Sequence, residues 1–211
     1  MVDLCVESPE KQVPSRSGAV LLFTGLSGSG KSTLARSLRN RLLERSDKSV
    51  TLLDGDVVRR HLSAGLGFSL ADRDVNVRRI GWVGAQVAEH GGLAICSPIA
   101  PFETTRQAVR DMTRAAGGQF MLIHVATPLE ECERRDRKGL YARARRGEIA
   151  DFTGISSPYE EPLNPDLRID TTGEDIKAVT EHILRIGAQR QMWPTLAAPS
   201  EQASQTGDAR S

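Results

Sequence analysis

Hydrophobic residues fall into two alternating kinds of segment along this chain, and the first two segments show both kinds. Residues 19–24 form a nearly continuous apolar run, which is typical of a parallel strand covered on both faces. Leu34, Leu38 and Leu42 then recur at helical spacing through a segment without Gly or Pro. The pattern predicts a buried strand followed directly by a helix.

The same alternation continues to about residue 186. Further strands are predicted at 49–53, 93–96, 120–126 and 167–170. Helices are predicted at 57–62, 69–87, 103–116, 130–135 and 172–186, with Ser69 and Thr172 as N-caps. Alternation of this kind predicts an α/β fold, in which a parallel sheet carries helices on both faces and binds ligands at the carboxyl ends of its strands.

Three segments follow neither pattern. Residues 1–17 and 189–211 are rich in polar residues and Pro, so we expect a flexible leader and a disordered tail on either side of a single domain at 18–188. Residues 136–165 are basic and interrupted by Gly and Pro. An irregular segment of that length inside a domain is usually functional, and we expect it to form a lid.

Composition narrows the class of protein further. A chain of 211 residues that is 39% hydrophobic can bury one sizeable core. The formal net charge of +1 gives no general reason to expect nucleic acid or a membrane as a partner. Cys5, Cys96 and Cys132 lie far apart without ligand-like spacing, so we expect reduced thiols, no zinc site and a cytoplasmic location.

Between the first predicted strand and helix, the chain carries a motif for binding phosphate. Residues 25–33 read Gly-Leu-Ser-Gly-Ser-Gly-Lys-Ser-Thr and fit the pattern G-x-x-x-x-G-K-[ST]. A Gly-Ser turn could match by chance, but the strand before it and the helix after it favour a phosphate loop. Lys31 would then reach the β- and γ-phosphates of ATP, and the Ser32 hydroxyl would bind Mg²⁺. The residues expected at ATP are Gly25, Ser27, Gly28, Ser29, Gly30, Lys31, Ser32 and Thr33.

Two carboxylates follow the second predicted strand, in the sequence Asp54-Gly55-Asp56. Either one could order Mg²⁺, directly or through water, and Asp56 could accept a proton from an attacking hydroxyl. The simpler alternative is that Asp56 only caps the next helix, and the two roles are compatible. Arg59 lies one turn further on, where it could neutralise an anionic acceptor.

Taken together, the motifs resemble those of the adenylylsulfate kinases (APS kinases), over about residues 18–186. Besides the phosphate loop, they are Asp-Gly-Asp-x-x-Arg at 54–59, Gly-Phe-Ser at 67–69, Asp-Arg-x-x-Asn-x-Arg-Arg-Ile at 72–80, Lys-Gly-Leu-Tyr at 138–141, Phe-Thr-Gly-Ile at 152–155 and Ser-Pro-Tyr-Glu at 157–160. The tract at 95–102 looks most like the kinase half of bacterial fusions with ATP sulfurylase. The 211 residues themselves contain no sulfurylase sequence.

The resemblance implies a P-loop kinase that transfers the γ-phosphoryl of ATP, with Mg²⁺, to the 3′-hydroxyl of adenosine 5′-phosphosulfate (APS), giving PAPS and ADP. It also implies a homodimer, and it leaves open whether a separate ATP sulfurylase binds the chain. The implied roles are Asp56 as the base, Arg59, Arg73 and Asn76 at the phosphosulfate and ribose, Phe68 and Phe152 on either side of the adenine, Ile99 lining that pocket, Lys138 at substrate phosphates, and Arg135, Thr172 and Gly173 near the nucleotide.

The chain departs from the family pattern at one position. Many stand-alone relatives have a serine where Ala100 stands, and that serine has been assigned as a phosphorylated intermediate. Ser97 lies three residues earlier and is not its equivalent. We therefore expect direct in-line transfer from ATP to the acceptor.

Several alternatives remain open at this level. The basic run in 134–146 could be a solvated helix face or a nucleic-acid patch. His124 lies in an apolar run and is more typical of a core histidine than of a catalyst. A shikimate- or gluconate-type kinase would share the fold, but its acceptor would not need Phe68 and Phe152. A nucleotide-sensing domain without turnover would be expected to lose Lys31, Ser32 or Asp56, whereas a switch GTPase would need an Asn-Lys-x-Asp signature that is absent.

Overall fold

Five parallel strands form the centre of the structure, which is a computed structural model describing residues 18–193. The strands are β1 (Ala19–Thr24), β2 (Val50–Asp54), β3 (Leu93–Ser97), β4 (Gln119–Val125) and β5 (Leu167–Ile169). Their order across the sheet is β2-β3-β1-β4-β5. The predicted parallel α/β sheet is therefore confirmed, whereas the predictions for 1–17 and 194–211 lie outside the described residues.

Helices alternate with the strands along the chain. They are α1 (Lys31–Arg45), α2 (Gly55–His61), α3 (Leu70–Glu89), α4 (Glu103–Ala115), α5 (Leu129–Arg135), α6 (Leu140–Arg145) and α7 (Ile176–Gln189). Within residues 18–193, none of these helices has the length and apolarity needed to cross a membrane.

Helices cover both faces of the sheet, as predicted, and each face has its own hydrophobic core instead of the single core expected from composition. Alternate residues of β1 point to opposite sides, so Leu21 and Phe23 pack in one core and Val20 and Leu22 in the other. The first core contains apolar residues of α1 and α7, and the second contains those of α2, α3 and α4. Because β1 is buried on both faces, the loop that follows it starts from a rigid support.

Two helix starts differ from the prediction. The helix after β2 begins at Gly55, because the Asp54 carboxylate accepts a hydrogen bond from the Asp56 amide at 3.0 Å and so caps it. Asp54 is therefore the N-cap of α2, and the Asp56 carboxylate in the first turn is not needed as a cap. The predicted cap of the last helix, Thr172, is wrong: Asp175 caps α7, while the Thr172 hydroxyl donates to Asp170 at 2.7 Å.

The domain extends beyond the predicted boundary at residue 188. Gln189 still belongs to α7, and Met192 and Trp193 are both buried in the core beside α1 and α7. The Trp193 indole N–H donates to the carbonyl of Leu184 at 3.1 Å. Polar residues and Pro predominate at 189–211, so the composition predicts an end at residue 188 despite Met192 and Trp193.

The segment at 136–165 is largely irregular, as predicted, but it contains the short helix α6. Tyr141 and Ala144 of α6 pack with Cys132 and Phe152 in a third hydrophobic cluster. This cluster lies apart from the two cores of the sheet. We call residues 136–165 the lid segment from here on.

Replacing Trp193 by Ala should destabilise the protein by about 3–5 kcal/mol, because it removes a large buried side chain together with its hydrogen bond. The measurement is the free energy of unfolding in urea. Leu163→Ala is the matched control, since Leu163 is 83% exposed and its loss should change that free energy by less than about 0.5 kcal/mol. Equal stabilities of the Trp193 variant and the wild type would show that the domain ends before Trp193.

Candidate active site

Polar groups collect at the carboxyl edge of the sheet, where the loops after neighbouring strands meet. The phosphate loop follows β1, Asp54 ends β2, and Ile99 lies just beyond β3. The loop amide of Gly25 donates to the Ile99 carbonyl at 3.3 Å, so the loops after β1 and β3 are in direct contact. Ligands of open parallel sheets bind at this edge.

The phosphate loop makes a tight turn into α1. Gly25 has a φ of +146°, and a β-carbon there would lie 2.4 Å from the carbonyl oxygen of Val125, so no other residue fits. Gly30 precedes α1 in the left-handed region, and Lys31 and Ser32 are the first two helical residues. Their amides have no acceptor within the helix, and they lie at its positive end. This arrangement suits an anion.

The carbonyl groups of the loop are held by side chains from several elements. The Lys31 ammonium donates to the Leu26 carbonyl at 2.6 Å, and the Tyr141 hydroxyl donates to the Ser27 carbonyl at 2.8 Å. Tyr141 belongs to α6 in the lid segment. This tyrosine ends the Lys-Gly-Leu-Tyr motif at 138–141, but nothing in the motif predicts its role.

Two further carbonyls of the loop accept hydrogen bonds from residues that follow β4 and β5 and from α5. The Ser29 carbonyl accepts from the hydroxyls of Thr127 and Thr171 at 3.0 and 2.9 Å. Arg135 donates to the Gly28 carbonyl at 3.4 Å and to the Thr171 hydroxyl at 2.8 Å. Thr127 and Thr171 were missed by sequence analysis, since a threonine after a strand carries no distinctive signal.

Lys31 is poised to change its partner. Burial lowers the pKa of this ammonium to about 8, because the charged form loses its hydration. Its donors are turned to the Leu26 carbonyl and to the Ser29 hydroxyl, which lies at 3.3 Å. A polyphosphate would offer a stronger, charged acceptor.

Asp54 and Ser97 pair in register at the ends of β2 and β3, and both carry buried oxygens without a hydrogen-bond partner. These oxygens are Asp54 Oδ2 and Ser97 Oγ. Among residues 18–193 there is no group of three or more His, Cys, Asp or Glu that could enclose a metal. The Arg36 guanidinium lies 3.9 Å from Asp54 Oδ2, so this oxygen has an ion-pair partner beyond hydrogen-bond distance. A carboxylate oxygen without a protein cage fits Mg²⁺, which keeps several waters and is completed by phosphates.

Asp56 faces the cleft from the first turn of α2. Its carboxylate forms an ion pair with Lys138 of the lid segment, although the two residues are 82 positions apart in the chain. Their side chains are 68% and 59% exposed, so the pair is weak and can open when a substrate competes for either group. The structure thus brings two predicted site residues together.

Arg59 and Phe68, both predicted site residues, contact each other. The Arg59 guanidinium lies 4.4 Å from the centre of the Phe68 ring and donates to the Gly67 carbonyl at 2.7 Å. The Phe68 ring is 64% exposed, which is unusual for a large aromatic side chain outside a binding surface.

Phe152 lies elsewhere and is buried. Its ring packs edge-on against Tyr141, with centroids 5.0 Å apart and planes at 78°. The two phenylalanines expected to enclose adenine therefore contact different partners in this conformation.

Arg73 connects α3 to the turn that follows Phe152. It donates to the hydroxyls of Thr153 and Ser157 at 2.6 and 3.2 Å, and to the carbonyl of Asp151. Burial lowers the pKa of the Arg73 guanidinium below its ordinary value. One turn along α3, Asn76 is buried and its Oδ1 has no hydrogen-bond partner, so it can still accept from a ligand.

The loop around Ile99 is held by residues that the sequence did not single out. Thr24 donates to the carbonyls of Ile99 and Ala100 at 2.7 and 3.1 Å, and the fully buried Arg106 donates to the Ala100 carbonyl at 2.8 Å. Ala100 itself has a φ of +46°, in the left-handed region. Tyr159 completes the group, with its hydroxyl 3.0 Å from that of Thr24.

The remaining predicted residues are in distinct surroundings. Thr172 and Gly173 lie in an exposed turn after β5, next to the Thr171 that contacts Arg135. His124 is buried and burial lowers its pKa to about 4, so it is a neutral core residue at neutral pH.

Much of the basic run is paired with acidic side chains, which disfavours a nucleic-acid patch. Arg134 pairs with Glu131 at 2.6 Å, and Arg145 with Glu133 at 2.7 Å. Arg146 pairs with Glu148 at 2.6 Å.

A phosphate loop that leads from the central strand of a five-stranded parallel sheet into a helix defines a P-loop kinase fold. The sequence matches the family of adenylylsulphate kinases over residues 17–170, and the chain belongs to that family. It is 51% identical over 170 residues to an adenylyl-sulfate kinase of Chloroflexus aurantiacus, which covers 81% of this chain and 89% of that relative.

Two further similarities agree with this membership. The structure of the Mycobacterium tuberculosis APS kinase CysC in complex with AMPPNP and APS superposes with a TM-score of 0.77 at 45% identity, covering 81% of this chain and 97% of that one. A sulfate adenylyltransferase of Neosartorya fischeri is 46% identical over 167 residues, covering 79% of this chain. The match spans only 29% of that fungal protein's length.

The environment of Lys31 predicts a pH-dependent stability. Its pKa is about 8 in the folded protein and 10.5 as the ordinary value, so the unfolded chain binds the proton more tightly. Above pH 10.5 the lysine is neutral in both states, and its burial then costs no free energy. As the pH falls from 10.5 towards 8, the unfolded chain gains the proton first, so the free energy of unfolding decreases. In protein measured without nucleotide, Lys31→Met should raise the free energy of unfolding by about 1–3 kcal/mol at pH 7. This increase should vanish near pH 10.5, where the lysine is neutral in both states.

The matched control is Lys177→Met, an exposed lysine on α7, which should keep the wild-type pH dependence. Denaturant unfolding followed at a series of pH values gives the difference between variant and wild type. A difference for Lys31→Met that is flat with pH would contradict the lowered pKa of this residue.

Proposed function

We propose that this protein is an adenylylsulfate kinase, which transfers the γ-phosphoryl group of ATP to the 3′-hydroxyl of APS and releases PAPS and ADP. The observation that carries this proposal is the position of Asp56, exposed at the cleft across from the phosphate loop and paired with Lys138 of the lid segment. The Mycobacterium tuberculosis APS kinase, of known structure with AMPPNP and APS, supports the identity of the two substrates.

On the donor side, ATP would bind with its phosphates over the phosphate loop and the start of α1. Lys31 would leave the Leu26 carbonyl and donate to the β- and γ-phosphates. Mg²⁺ would be held by the Ser32 hydroxyl, with Asp54 or Asp56 acting through water, and when bound it would neutralise charge on the phosphate oxygens. Arg135, Thr172 and Gly173 would border the nucleotide at the far end of the loop.

On the acceptor side, the Asp56 carboxylate would accept the proton of the 3′-hydroxyl as that oxygen attacks the γ-phosphorus. Arg59, Arg73 and Asn76 would hold the phosphosulfate and the ribose, since guanidinium groups match anionic oxygens and the Asn76 Oδ1 lacks a partner. Phe68 and Phe152 would enclose the adenine, with Ile99 lining the pocket. Phe152 would then have to expose one face of its ring.

The lid segment would close over the two substrates. Lys138 pairs with Asp56 in the structure, and it would exchange this carboxylate for substrate phosphates. Such closure excludes water, which would otherwise compete with the 3′-hydroxyl for the phosphoryl group.

We propose direct in-line transfer, without a phosphorylated enzyme. Ala100 has no hydroxyl to accept a phosphoryl group, and its backbone is fixed by Thr24 and Arg106. Ser97, the nearest serine in that tract, is 4% exposed. A nucleophile at that depth is poorly placed to receive a phosphoryl group.

Assembly and location are proposed along with the reaction. A homodimer is supported by exposed apolar side chains such as Val75 and Trp82, which lie seven positions apart on α3. A cytoplasmic location is supported by the buried free thiols Cys96 and Cys132. Whether a separate ATP sulfurylase joins the dimer would be decided by co-purification with such a partner.

The substrate assignment is tested by an ADP-release assay with APS, shikimate, gluconate and AMP as acceptors. Only APS should give sustained turnover, because the other acceptors lack either the phosphosulfate or the adenine that Arg59, Arg73 and the phenylalanines would recognise. Turnover with shikimate or gluconate, and none with APS, would make this chain a different small-metabolite kinase.

Asp56→Asn should lower kcat by about 10²–10⁴-fold, because the amide cannot accept the proton of the attacking hydroxyl. The Kd of ATP should change by less than about twofold, since the phosphate loop is intact. Asp111→Asn, an exposed change on α4, is the matched control and should leave both constants unchanged. Near-normal turnover of the Asp56 variant would remove this residue from the proposed catalytic role.

A further inference from the structure

Tyr141 contacts both the phosphate loop and Phe152. Its hydroxyl donates to the carbonyl of Ser27 in the phosphate loop at 2.8 Å, and its ring packs edge-on against Phe152 at 5.0 Å. The side chain is 2% exposed, and burial raises the pKa of the phenol above its ordinary value. The hydroxyl therefore stays protonated and acts as a donor at physiological pH.

Tyr141 differs from the other groups that hold loop carbonyls. Lys31, Thr127, Arg135 and Thr171 come from the α/β body of the domain. Among residues 18–193, Tyr141 alone brings a side-chain donor from the lid segment to a carbonyl of the phosphate loop. The position of α6 is thereby tied to the conformation of that loop.

A second contact joins the same two regions. The Leu26 side chain of the phosphate loop packs on Gly154, so closely that a β-carbon at Gly154 would lie 2.9 Å from it. The tight turn at 152–157 is closed by amides of residues 155, 156 and 157 donating to the Phe152 carbonyl at 3.0 Å each. This turn is also where Arg73 donates to Thr153 and Ser157.

We infer that Tyr141 is a positioning residue that couples the two substrate sites, by fixing Phe152 and its turn to the Ser27 carbonyl of the phosphate loop. The residue touches neither reacting group and acts through Phe152 on one side and Ser27 on the other. The inference rests on the proposed function for the identity of the acceptor, but the coupling itself is a property of the loop and the turn.

The direction of the coupling follows from the hydrogen bond. A polyphosphate on the loop amides holds the loop in one conformation, so the Ser27 carbonyl becomes a fixed acceptor for the Tyr141 hydroxyl. The ring of Tyr141 then supports Phe152 and the turn behind it, and less ordering remains for the acceptor to induce. Nucleotide binding therefore strengthens acceptor binding, and by linkage the acceptor strengthens nucleotide binding equally.

Tyr141→Phe separates this role from packing, because the ring against Phe152 is kept and only the hydroxyl is lost. The first readout is hydrogen–deuterium exchange of the amides at 154–157, with and without ADP and Mg²⁺. In the wild type, we expect ADP to slow this exchange about tenfold. In the variant, the slowing should fall to about twofold or less, because one hydrogen bond of the connection is missing.

The second readout is the Kd of APS in the presence and absence of ADP. The ratio of the two should drop by about two- to tenfold in Tyr141→Phe, while the Kd of ADP alone stays within about twofold of the wild type. Thr113→Val is the matched control, since it also removes a buried hydroxyl that donates to a carbonyl, here that of Val109 at 2.8 Å within α4, away from the phosphate loop and the turn. Its exchange slowing and its affinity ratio should equal those of the wild type.

The outcomes separate this inference from the proposed function. Wild-type slowing by ADP in the Tyr141→Phe protein, or an equal loss in Thr113→Val, overturns the role given to Tyr141. A wild-type enzyme that does not phosphorylate APS overturns the proposed function, yet the exchange experiment still decides the coupling because it needs only ADP. Loss of the slowing in Tyr141→Phe alone supports the inference whichever acceptor is used.

Discussion

A loop that turns its amide groups towards phosphate must send its carbonyl oxygens the other way, and each of those oxygens needs a donor. Buried or half-buried carbonyls without donors are costly, so this requirement is strict. In this protein, the carbonyls of residues 26–29 are met by Lys31, Tyr141, Arg135, Thr127 and Thr171. These donors come from α1, the lid segment, α5 and the loops after β4 and β5.

Because the donors are spread over the domain, the state of the loop is linked to the state of its surroundings. In the proposed function, the Lys31 bond to Leu26 would be given up when a polyphosphate binds, whereas the threonine bonds to Ser29 are buried and would stay in place. The lid segment is held to the rest of the domain by weaker, exposed contacts such as the ion pair of Lys138 with Asp56. The strong contacts thus preserve the loop, and the weak ones can open for substrates.

The proposed function divides the site into a donor half and an acceptor half. In the donor half, the phosphate loop would bind a polyphosphate nucleotide. In the acceptor half, the acceptor would be recognised by Asp56, the exposed unit of Arg59 and Phe68, and the turn bound by Arg73. Both halves lie at the carboxyl edge of one sheet, which brings residues more than eighty positions apart into contact.

Much of the fold could be predicted from the sequence because buried parallel strands and amphipathic helices have distinct periodicities. The five strands and every helix of residues 18–193 except α6 followed from that pattern, and the phosphate loop followed from its motif. Side-chain contacts between distant segments could not be predicted in this way. Nothing local distinguishes Thr127 or Thr171 as donors to Ser29, or shows that Trp193 folds back onto α7.

Helix ends show the same limit on a smaller scale. Thr172 and Asp175 are both acceptable caps by residue type, and the choice of Asp175 depends on the turn that the chain makes at Gly173. Likewise, Asp54 and Asp56 compete for one capping role, and strand β2 settles the choice by ending at Asp54. That choice leaves Asp56 exposed at the cleft, which the proposed mechanism requires.

We propose that the γ-phosphoryl group passes directly from ATP to the acceptor hydroxyl. The stereochemistry of transfer from ATP made chiral at the γ-phosphorus with oxygen isotopes distinguishes this route from a two-step route. A single in-line displacement inverts the configuration, and we expect inversion in the phosphate found on the 3′-hydroxyl of PAPS. Retention would mean two successive displacements through a phosphorylated residue and would contradict the account.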